Sequence, residues 1–494
     1  MTRLRVLVYK IGRVTVFVAM FTSPALAQSD APAPGVDARV PPSEPSALPP
    51  PAAAPPSPGL AALQRRLDAL EEQTRALQAQ RAQVVPLPPA PAKPVATVTA
   101  DEGGFGLISP DKQFQFRLRG QIQFDGRRFF DDATLGTNDT FLVRRARPIV
   151  AGTLFGLTDF MLVPDFGNNT VALYDAYLDT HPWAWLRLRV GKFKGPVGLE
   201  RLQSDNDLVF NERALDSNLS SQREVGIQLW GDVAAGLLHW DIGVYNGNPD
   251  GGLNDADVNH AKSFAGRLFL QPFALPWLRA AGRLGVGVAF STGNEKGSAT
   301  NTWLGAFKSA GQQTIFSYLT ASANTTVFAL GRHTRINPQL YYYVGPFGLL
   351  AEWVKEYQEL SNSAGAGAVN NQSGHVTASI VIGGDETYEG PRLRHPVSIA
   401  DGTFGALEIG LRYEWLNVDD QAFPTAADPA KSVTKAQGLG VALNWQLTRN
   451  LKVGGDVLES WFDGGDGGDG GGGGPKGGNR AREKLLLGRF QAYF

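Results

Sequence analysis

The chain from residue 111 onward is patterned with a period of two. Between Gln113 and Phe124 the apolar side chains fall on even positions, whereas the polar and basic side chains fall on odd positions. The same alternation recurs in the segments 186–190, 238–245, 407–415 and 439–447. Strict alternation of this kind predicts β-strands that present one apolar face and one polar face.

Sixteen segments carry this signal and are predicted as strands. They lie near 113–124, 141–154, 158–166, 171–179, 184–194, 222–231, 236–245, 261–271, 277–291, 331–344, 348–358, 375–383, 404–416, 437–447, 450–461 and 484–494. Their connections mostly alternate between short turns and long loops, a pattern typical of outer-membrane barrels. Two connections break this rule, because 384–403 is long where a short turn is due and 167–170 is short where a long loop is due. We therefore predict an all-β fold, a 16-stranded antiparallel transmembrane β-barrel.

Other architectures fit the pattern less well. A soluble sandwich needs far fewer strands, and a propeller requires an internal repeat that the sequence does not show. No segment approaches 18 consecutive apolar residues, which argues against membrane-spanning helices. The chain ends in KLLLGRFQAYF, where Leu486, Phe490, Ala492 and Phe494 share one face. A final amphipathic strand ending in phenylalanine is typical of outer-membrane barrel proteins.

The first 110 residues have a different composition and divide into four predicted segments. Residues 1–27 combine basic residues, the short apolar run from Val14 to Phe21 and a small-x-small site, which indicates a cleaved signal peptide and export. Residues 28–59 form a linker rich in proline and alanine, and a second proline-rich linker spans 86–110. Between them, residues 60–85 are predicted as a short helix, and the barrel domain takes up 111–494.

The predicted helix carries a leucine seam with heptad spacing. Its seam positions are Leu60, Leu63, Leu67, Leu70, Thr74, Leu77, Arg81 and Val84. A spacing of alternately three and four residues is that of a coiled coil, although Thr74 and Arg81 weaken it. We favour a short self-associating coiled coil over a single amphipathic helix that lies on a neighbouring surface.

The composition narrows the possible chemistry. The chain has 46 basic and 47 acidic residues and no cysteine, so neither a disulfide framework nor thiolate chemistry is possible. The motifs of serine hydrolases, zinc peptidases and nucleotide-binding proteins are missing, and the six histidines show no ligand spacing. We therefore expect no enzymatic activity, no cofactor, no metal site and no nucleic-acid partner. The glycine-rich and aspartate-rich loop 462–483 is expected to be a flexible exterior loop, because it lacks the apolar positions of calcium-binding coils.

Many segments, in order, resemble the phosphate-selective porin O and P family over roughly residues 105–494. These segments are RRAR at 144–147, VPDFG at 163–167, DAYL at 175–178, RVGKFKGPVGLERL at 189–202, FNERAL at 210–215, GQQTIFSY at 311–318, GRHTRINPQLYYYVGPFGLLAEWV at 331–354 and the closing GRFQAYF. The resemblance implies a homotrimeric porin in the outer membrane of a Gram-negative bacterium. It also implies passage of phosphate or polyphosphate, with the first two arginines of the pattern RRxY near the narrow part of the pore. Here Arg147 stands where that pattern has tyrosine.

Three predicted strands and the start of the loop after them concentrate basic side chains without a single acidic one. The nine residues are Arg117, Arg119, Arg144, Arg145, Arg147, Arg187, Arg189, Lys192 and Lys194. Arg117, Arg119, Arg187 and Arg189 alternate with aliphatic residues and should face a water-filled lumen. Such residues lower the entry barrier for anions and match phosphate oxygens. Because Arg144 and Arg145 cannot both face the lumen from a regular strand, we expect either a bulge or one side chain that reaches toward an interface.

Loop 195–221 follows the fifth predicted strand. In porins of the predicted architecture the corresponding loop folds inward and narrows the channel; an external loop is the alternative. Asp205 and Asp207 in this loop either oppose the basic wall or are simply solvated. Glu352, Glu356, Glu408 and Glu414 occupy later strands, so the opposite wall is expected to be mixed or acidic.

The functional expectation is an outer-membrane porin, surrounded by lipid, that lets small anions such as phosphate or polyphosphate diffuse through a pore lined by arginine and lysine. Two alternatives remain open. One is a general porin in which the basic wall faces an acidic loop and sets a transverse field for other small hydrophilic solutes. The other is a structural tether, because the proline-rich linker and the coiled coil are able to bridge the barrel toward the cell wall.

Overall fold

The computed structural model describes residues 5–11, 14–20, 59–82, 95–130, 137–255, 257, 259–275, 277–320, 325–362, 365–465 and 478–494. The chain divides into two units, Met1–Ala92 and Lys93–Phe494. Nearly all of the first predicted linker, residues 86–94 of the second, the predicted cleavage site and the centre of loop 462–483 lie outside the described residues.

The first unit contains a two-stranded hairpin and one long helix. Strands β1 (Arg5–Ile11) and β2 (Val14–Met20) pair antiparallel. Helix α1 (Gly59–Ala82) covers most of the predicted helical segment and confirms its secondary structure. Its seam leucines are 57–67% exposed, and self-association through them stays a prediction. Within the described residues, no helix has the length and apolarity needed to cross a bilayer.

The second unit is a closed barrel of sixteen antiparallel strands, which confirms the predicted fold class. The strands are β5 (Gln115–Phe130), β6 (Thr140–Leu154), β7 (Thr158–Asp165), β8 (Ala172–Trp183), β9 (Leu186–Phe193), β10 (Glu224–Val233), β11 (Leu238–Tyr245), β12 (Ser263–Leu270), β13 (Arg283–Lys296), β16 (Phe328–Val344), β17 (Phe347–Asn362), β19 (Gln372–Ile382), β24 (Ala406–Asn417), β25 (Val433–Thr448), β26 (Leu451–Gly464) and β27 (Glu483–Tyr493). Each predicted strand corresponds to one of these. Strand β5 extends six residues further than predicted, to Phe130, because its residues 121–130 pair with β27.

Alternation along the strands separates an apolar outside from a polar inside. On β5, Ile122 and Phe124 are 54% and 46% exposed on the outer face. Gln121, Gln123 and Asp125 between them are buried on the inner face. An exposed apolar band on the outside is favourable when the surrounding medium is lipid.

The other short elements belong to loops and rims. They are β3 (Thr97–Asp101), β4 (Gly104–Ile108), β14 (Phe307–Lys308), β15 (Thr314–Phe316), β18 (Gly365–Val369), β20 (Gly384–Asp385), β21 (Arg392–Leu393), β22 (Val397–Ser398), β23 (Thr403–Phe404), α2 (Leu199–Leu202) and 3₁₀ turns at Leu215–Leu219, Pro272–Ala274, Arg279–Ala281 and Asp420–Ala422. Hairpin β3–β4 pairs with the start of β5. The sheet therefore begins at Thr97, inside the segment 86–110 that was predicted as a linker, because residues 104–108 find an unpaired edge beside β5.

The connections confirm the two predicted exceptions to the alternation of lengths. Residues 166–171 form a short connection because Phe166 and Asn168 donate main-chain hydrogen bonds to β6, and so continue the sheet above β7. Residues 383–405 form a long connection at the end of the barrel where every other connection except 271–282 is a short turn. We call this the short-turn end, and the opposite end the long-loop end.

The last residue closes the barrel at the short-turn end. Phe494 and Gly120 exchange two main-chain hydrogen bonds of 2.8 and 3.0 Å. A Cβ atom on Gly120 would lie 2.7 Å from the Phe494 ring, so the ring lies directly on this glycine. The terminal phenylalanine, which is typical of outer-membrane barrels, thus has a definite contact in the fold.

Replacing Gly120 by alanine should push the Phe494 ring off the sheet and destabilise the closed barrel by about 1–3 kcal/mol. Folded and unfolded barrels migrate differently on gels, so samples heated in steps give the temperature at which the barrel unfolds. We expect this transition temperature to be lower in Gly120→Ala. Gly455→Ala is the matched control, because a Cβ on this outward-facing strand glycine would have no neighbour within 4 Å. Equal transition temperatures for the two variants would contradict the assigned contact.

Candidate functional site

The connection between β9 and β10, residues 194–223, lies inside the barrel; we call it the inward loop. Its main chain is bonded to strands on the far side of the lumen. Glu352 of β17 accepts hydrogen bonds from the amides of Leu199 and Glu200 at 2.6 and 2.7 Å. Asp456 of β26 accepts another from the amide of Asn211 at 2.7 Å. These contacts confirm the inward fold of the predicted loop 195–221 and exclude the external alternative.

Donors from the wall satisfy the carbonyl groups of the same loop. Asn444 donates to Val209 at 2.6 Å, and Lys452 donates to Leu208 at 2.9 Å. Arg412 donates to the carbonyl oxygen of Glu212 at 2.9 Å. Because buried main-chain groups need partners, this set of side chains determines where the loop lies.

Two carboxylates of the inward loop collect six arginines. Asp205 forms ion pairs with Arg145 (3.1 Å), Arg147 and Arg213. Glu212 forms ion pairs with Arg127, Arg144 and Arg489 at 3.2, 2.7 and 3.1 Å. Additional carboxylates are Asp165, beside Arg147, and Asp125, beside Arg127 and Arg489. Six guanidinium groups thus share four carboxylates, and the cluster retains a formal excess of positive charge.

A bulge in β6 allows both adjacent arginines to enter this cluster. In the register of β5 with β6, Gln123 faces Arg145 but the next residue, Phe124, faces Val143, so Arg144 is the extra residue. Of the two expected arrangements, the structure therefore has the bulge. Gly167 packs on the bulge, where a Cβ would lie 2.7 Å from both the Arg144 oxygen and the Arg145 Cα.

Of the six other predicted basic residues, four lie on the lumen-facing side of their strands. Arg117 pairs with Asp101 at 3.4 Å near the start of β5, and Arg119 lies on the same face. Arg187 and Arg189 share Asp179 at 3.0 and 2.7 Å. The wall around Arg187 and Arg189 is locally neutral, because β7 supplies Asp159 and β8 supplies Asp179 as partners for these two arginines of β9.

The two predicted lysines hold loops in place. Lys192 donates to the carbonyl oxygen of Leu253 at 2.8 Å and forms an ion pair with Asp255. Lys194 is enclosed and donates to the carbonyl oxygens of Leu202 and Gln203 at 3.2 and 2.6 Å. Both ammonium groups are therefore already engaged with the protein.

A cavity of 440 Å³ opens above the inward loop toward the long-loop end. Seven basic and three acidic side chains line it: Arg144, Arg145, Arg147, Arg201, Arg213, Arg223 and Lys308 against Asp205, Glu212 and Asp250. A second cavity of 610 Å³ lies at the short-turn end, below the loop. Its charged lining is mixed, with Glu102, Asp207, Glu389, Arg392 and Arg449.

The two aspartates of the loop have opposite environments. Burial disfavours ionisation of Asp205, but Arg145, Arg213 and Arg147 outweigh it and hold the pKa of this carboxyl well below its usual value. Burial raises the pKa of Asp207 to about 7, and Glu389 adds to that effect while Lys452 opposes it. Asp205 therefore opposes the basic wall, as one of the two expectations had it, whereas Asp207 faces the other cavity.

The strand pattern contained basic residues that the nine predicted positions omit. Arg489 lies on the inner face of β27, opposite the face of Phe490 and Ala492, and alternation alone identifies it. Alternation likewise places Arg412 on the inner face of β24, where it is 1% exposed. Arg201, Arg213 and Lys308 lie in loops, where no periodic signal exists.

The wall opposite the arginines is mixed, one of the two expected possibilities, because Arg412 and Lys452 lie on it among the glutamates. Glu352, Glu356, Glu408 and Glu414 are all 4% exposed or less on its inner face. Glu352 caps the main chain of α2, and Glu408 accepts a hydrogen bond from Asn444 at 2.7 Å. These side chains position the inward loop as well as setting the sign of the local charge.

Comparisons with known proteins identify a family and several similar proteins. A family model described as phosphate-selective porin O and P matches residues 114–459. Porin O of Pseudomonas aeruginosa is 24% identical over 411 residues, which cover 74% of this chain and 89% of that protein. Among solved structures, Vibrio cholerae OmpT aligns with a TM-score of 0.46 at 11% identity, over 81% of this chain and 100% of that chain. Salmonella typhi OmpF aligns with a TM-score of 0.45 at 9% identity, over the same shares.

Gly167→Ala should disturb the bulge, because the new Cβ meets main-chain atoms of Arg144 and Arg145 at 2.7 Å. We expect a loss of about 1–3 kcal/mol of barrel stability. We also expect altered single-channel conductance in planar bilayers, because the Arg144 contact with Glu212 has to shift. Gly367→Ala, at an exposed loop glycine with no neighbour within 4 Å of its Cβ position, is the control. Unchanged conductance in Gly167→Ala would show that the pore does not depend on the bulge.

Proposed function

The chain belongs to the phosphate-selective porin O and P family of outer-membrane porins, and from that premise we propose that its pore carries small anions, phosphate-like ones first among them, by passive diffusion. The observation that carries this proposal is the shared pairing at the inward loop, where six arginines meet four carboxylates. A guanidinium that shares its carboxylate with two others is able to exchange one partner for a passing anion. The planar fork of arginine also matches phosphate oxygens.

The cavity above the loop supports the same assignment. Within the described residues, neither Arg201 nor Lys308 forms an ion pair, and Arg201 donates only to the carbonyl oxygen of Ser217, at 2.6 Å. Their charges are available to an ion that enters from the long-loop end, which is the extracellular end in this architecture. Weak binding at such a place concentrates anions before the narrow part of the pore.

The nine predicted residues have different roles in this proposal. Arg144, Arg145 and Arg147 form the narrow part with the inward loop. Arg117, Arg119, Arg187 and Arg189 line the lumen below it. Lys192 and Lys194 support the loops through the carbonyl bonds described above and contribute charge rather than contacts to the passing anion.

The assembly and the export of the protein are also proposals. The signal peptide 1–27 directs export, and the barrel inserts into the outer membrane as a homotrimer with its apolar face toward lipid and neighbouring protomers. The exposed leucines of α1 (57–67%) support a coiled coil in the periplasm that assists association.

A general porin is the second candidate, and one specific observation favours it. Arg187 and Arg189 are neutralised locally by Asp159 and Asp179, and the opposite wall carries the glutamates Glu352 and Glu414. A basic cluster that faces such carboxylates sets a transverse field, which orders small dipolar solutes without selecting phosphate. Selectivity measurements separate the two candidates.

The proposal is tested by the reversal potential of the purified protein in planar bilayers under a salt gradient. We expect chloride to be more permeant than potassium, and millimolar phosphate to reduce the chloride current. Lys308→Gln should lower the permeability ratio of chloride to potassium, whereas Lys431→Gln, an exposed loop lysine outside the cavity, should leave it unchanged. A preference for potassium overturns the anion pore, and chloride current that phosphate never inhibits assigns the protein as a general porin.

The raised pKa of Asp207 predicts a dependence on pH. With a pKa of about 7, this carboxyl is mostly neutral at about pH 6 and mostly ionised at about pH 8. Ionisation places a negative charge in the cavity at the short-turn end, so the ratio of chloride to potassium permeability should fall as the pH rises. Asp207→Asn should remove this change between the two pH values, and a pH effect that persists in this variant would contradict the assignment.

A further inference from the structure

A buried group of side chains links the inward loop to the wall opposite the arginine cluster. Asp216, in the 3₁₀ turn of the loop, Glu352 of β17 and His375 of β19 place one possible ligand atom each within 4.8 Å of one another. The Nδ1 atom of His375 lies 2.7 Å from the Oδ1 atom of Asp216. Asp216 and Glu352 thus bring carboxylate oxygens within 4.8 Å of each other. We call this group the His375 cluster.

The charges in this region do not balance. Four carboxyl groups meet there: Glu200, Asp216, Glu352 and Glu414, each no more than 5% exposed. The cationic groups facing them are Arg412, which lies 3.5 Å from Glu200 and 3.2 Å from Glu414, and the imidazole of His375. Buried carboxylates are costly unless they are paired, so the region retains an uncompensated negative charge.

One ring nitrogen of His375 has no hydrogen-bond partner among the described residues. This atom, Nε2, is buried, and His375 is 0% exposed. The Oε1 atom of Glu414 is likewise buried without a partner, but it lies over Gly438 of β25, on the side of β24 away from His375. The Nε2 atom lies on the ring edge away from Asp216, so an ion shared by His375 and Asp216 takes the place of the proton at Nδ1.

A second cluster of the same composition has its histidine fully used. Asp250, His333 and Glu356 also lie within 4.8 Å of one another. However, His333 contacts Glu295 through Nδ1 at 2.8 Å and Glu356 through Nε2 at 2.6 Å. Asp250 accepts two hydrogen bonds from Arg335, at 3.1 and 2.6 Å. In this second cluster, the His333 cluster, both ring nitrogens of the histidine are therefore engaged with carboxylates.

We propose that the His375 cluster is a binding site for one divalent transition cation of the Zn²⁺ or Co²⁺ type. Imidazole combined with carboxylates is the ligand set that such ions prefer over Mg²⁺ or Ca²⁺. The Oε2 atom of Glu352 accepts from the amide of Leu199 and from Asn337, whereas its Oε1 atom accepts from the amide of Glu200 and retains a lone pair, so the cap of α2 and an ion at Oε1 are compatible. Because Asp216 belongs to the inward loop and the other ligands to the wall, the bound ion fastens the loop to β17 and β19.

The test uses the full-length protein in detergent, stripped of metal with a chelator and titrated with Co²⁺. Calorimetry should give one ion per chain, and the visible absorption of Co²⁺ reports whether imidazole and carboxylate bind it. His375→Gln should weaken binding by at least about tenfold. His333→Gln, in the His333 cluster, is the matched control and should bind Co²⁺ as the unaltered chain does.

A stability measurement and a substitute variant separate loss of the ion site from loss of the fold. Co²⁺ should raise the transition temperature of the unaltered barrel but not that of His375→Gln, which gel migration shows independently of conduction. If His375→Gln does not fold, Asp216→Asn serves in its place. Absence of Co²⁺ binding by the unaltered chain, or undiminished binding by His375→Gln and Asp216→Asn, overturns the proposal and leaves a shared proton between Asp216 and Glu352 as the balancing charge.

Discussion

A segment of main chain that is buried inside a barrel must find hydrogen-bond partners for its amide and carbonyl groups, and this requirement organises the interior of the protein. The partners of the inward loop come from strands on the far side of the lumen: Glu352, Asp456, Asn444, Lys452 and Arg412. These side chains are polar or charged because the loop needs them, as well as because the lumen is wet. The position of the narrow part of the pore therefore follows from bonds to backbone atoms.

The electrostatics of the pore depend on where the loop brings its carboxylates. Asp205 and Glu212 each hold three guanidinium groups, which prevents the repulsion that six neighbouring arginines would otherwise produce. Because each carboxylate is shared, no arginine is fully neutralised. The arrangement stabilises the cluster and still leaves it with a formal excess of positive charge.

Sequence reasoning recovered the barrel because lipid outside and polar groups inside impose alternation on every strand. It placed Arg117 and Arg189 on the inner face for the same reason, and stereochemistry alone reduced the problem of Arg144 and Arg145 to two arrangements. It failed where partners are distant in sequence. The contact of His375 with Asp216 spans 159 residues, so no ligand spacing along the chain was able to reveal it. Hairpin β3–β4 was missed because residues 97–108 follow a proline-rich stretch and were assigned to the linker by composition.

The mode of attachment of the inward loop has a consequence for which substitutions it tolerates. At Leu199, Asn211, Leu208 and Val209 the wall holds main-chain groups, and every residue type other than proline offers these groups. Asp205 and Glu212 instead hold wall arginines through their carboxylates. Tolerance to mutation is therefore unequal along the loop: exchange of the first four side chains keeps the bonds, whereas exchange of either carboxylate removes ion pairs.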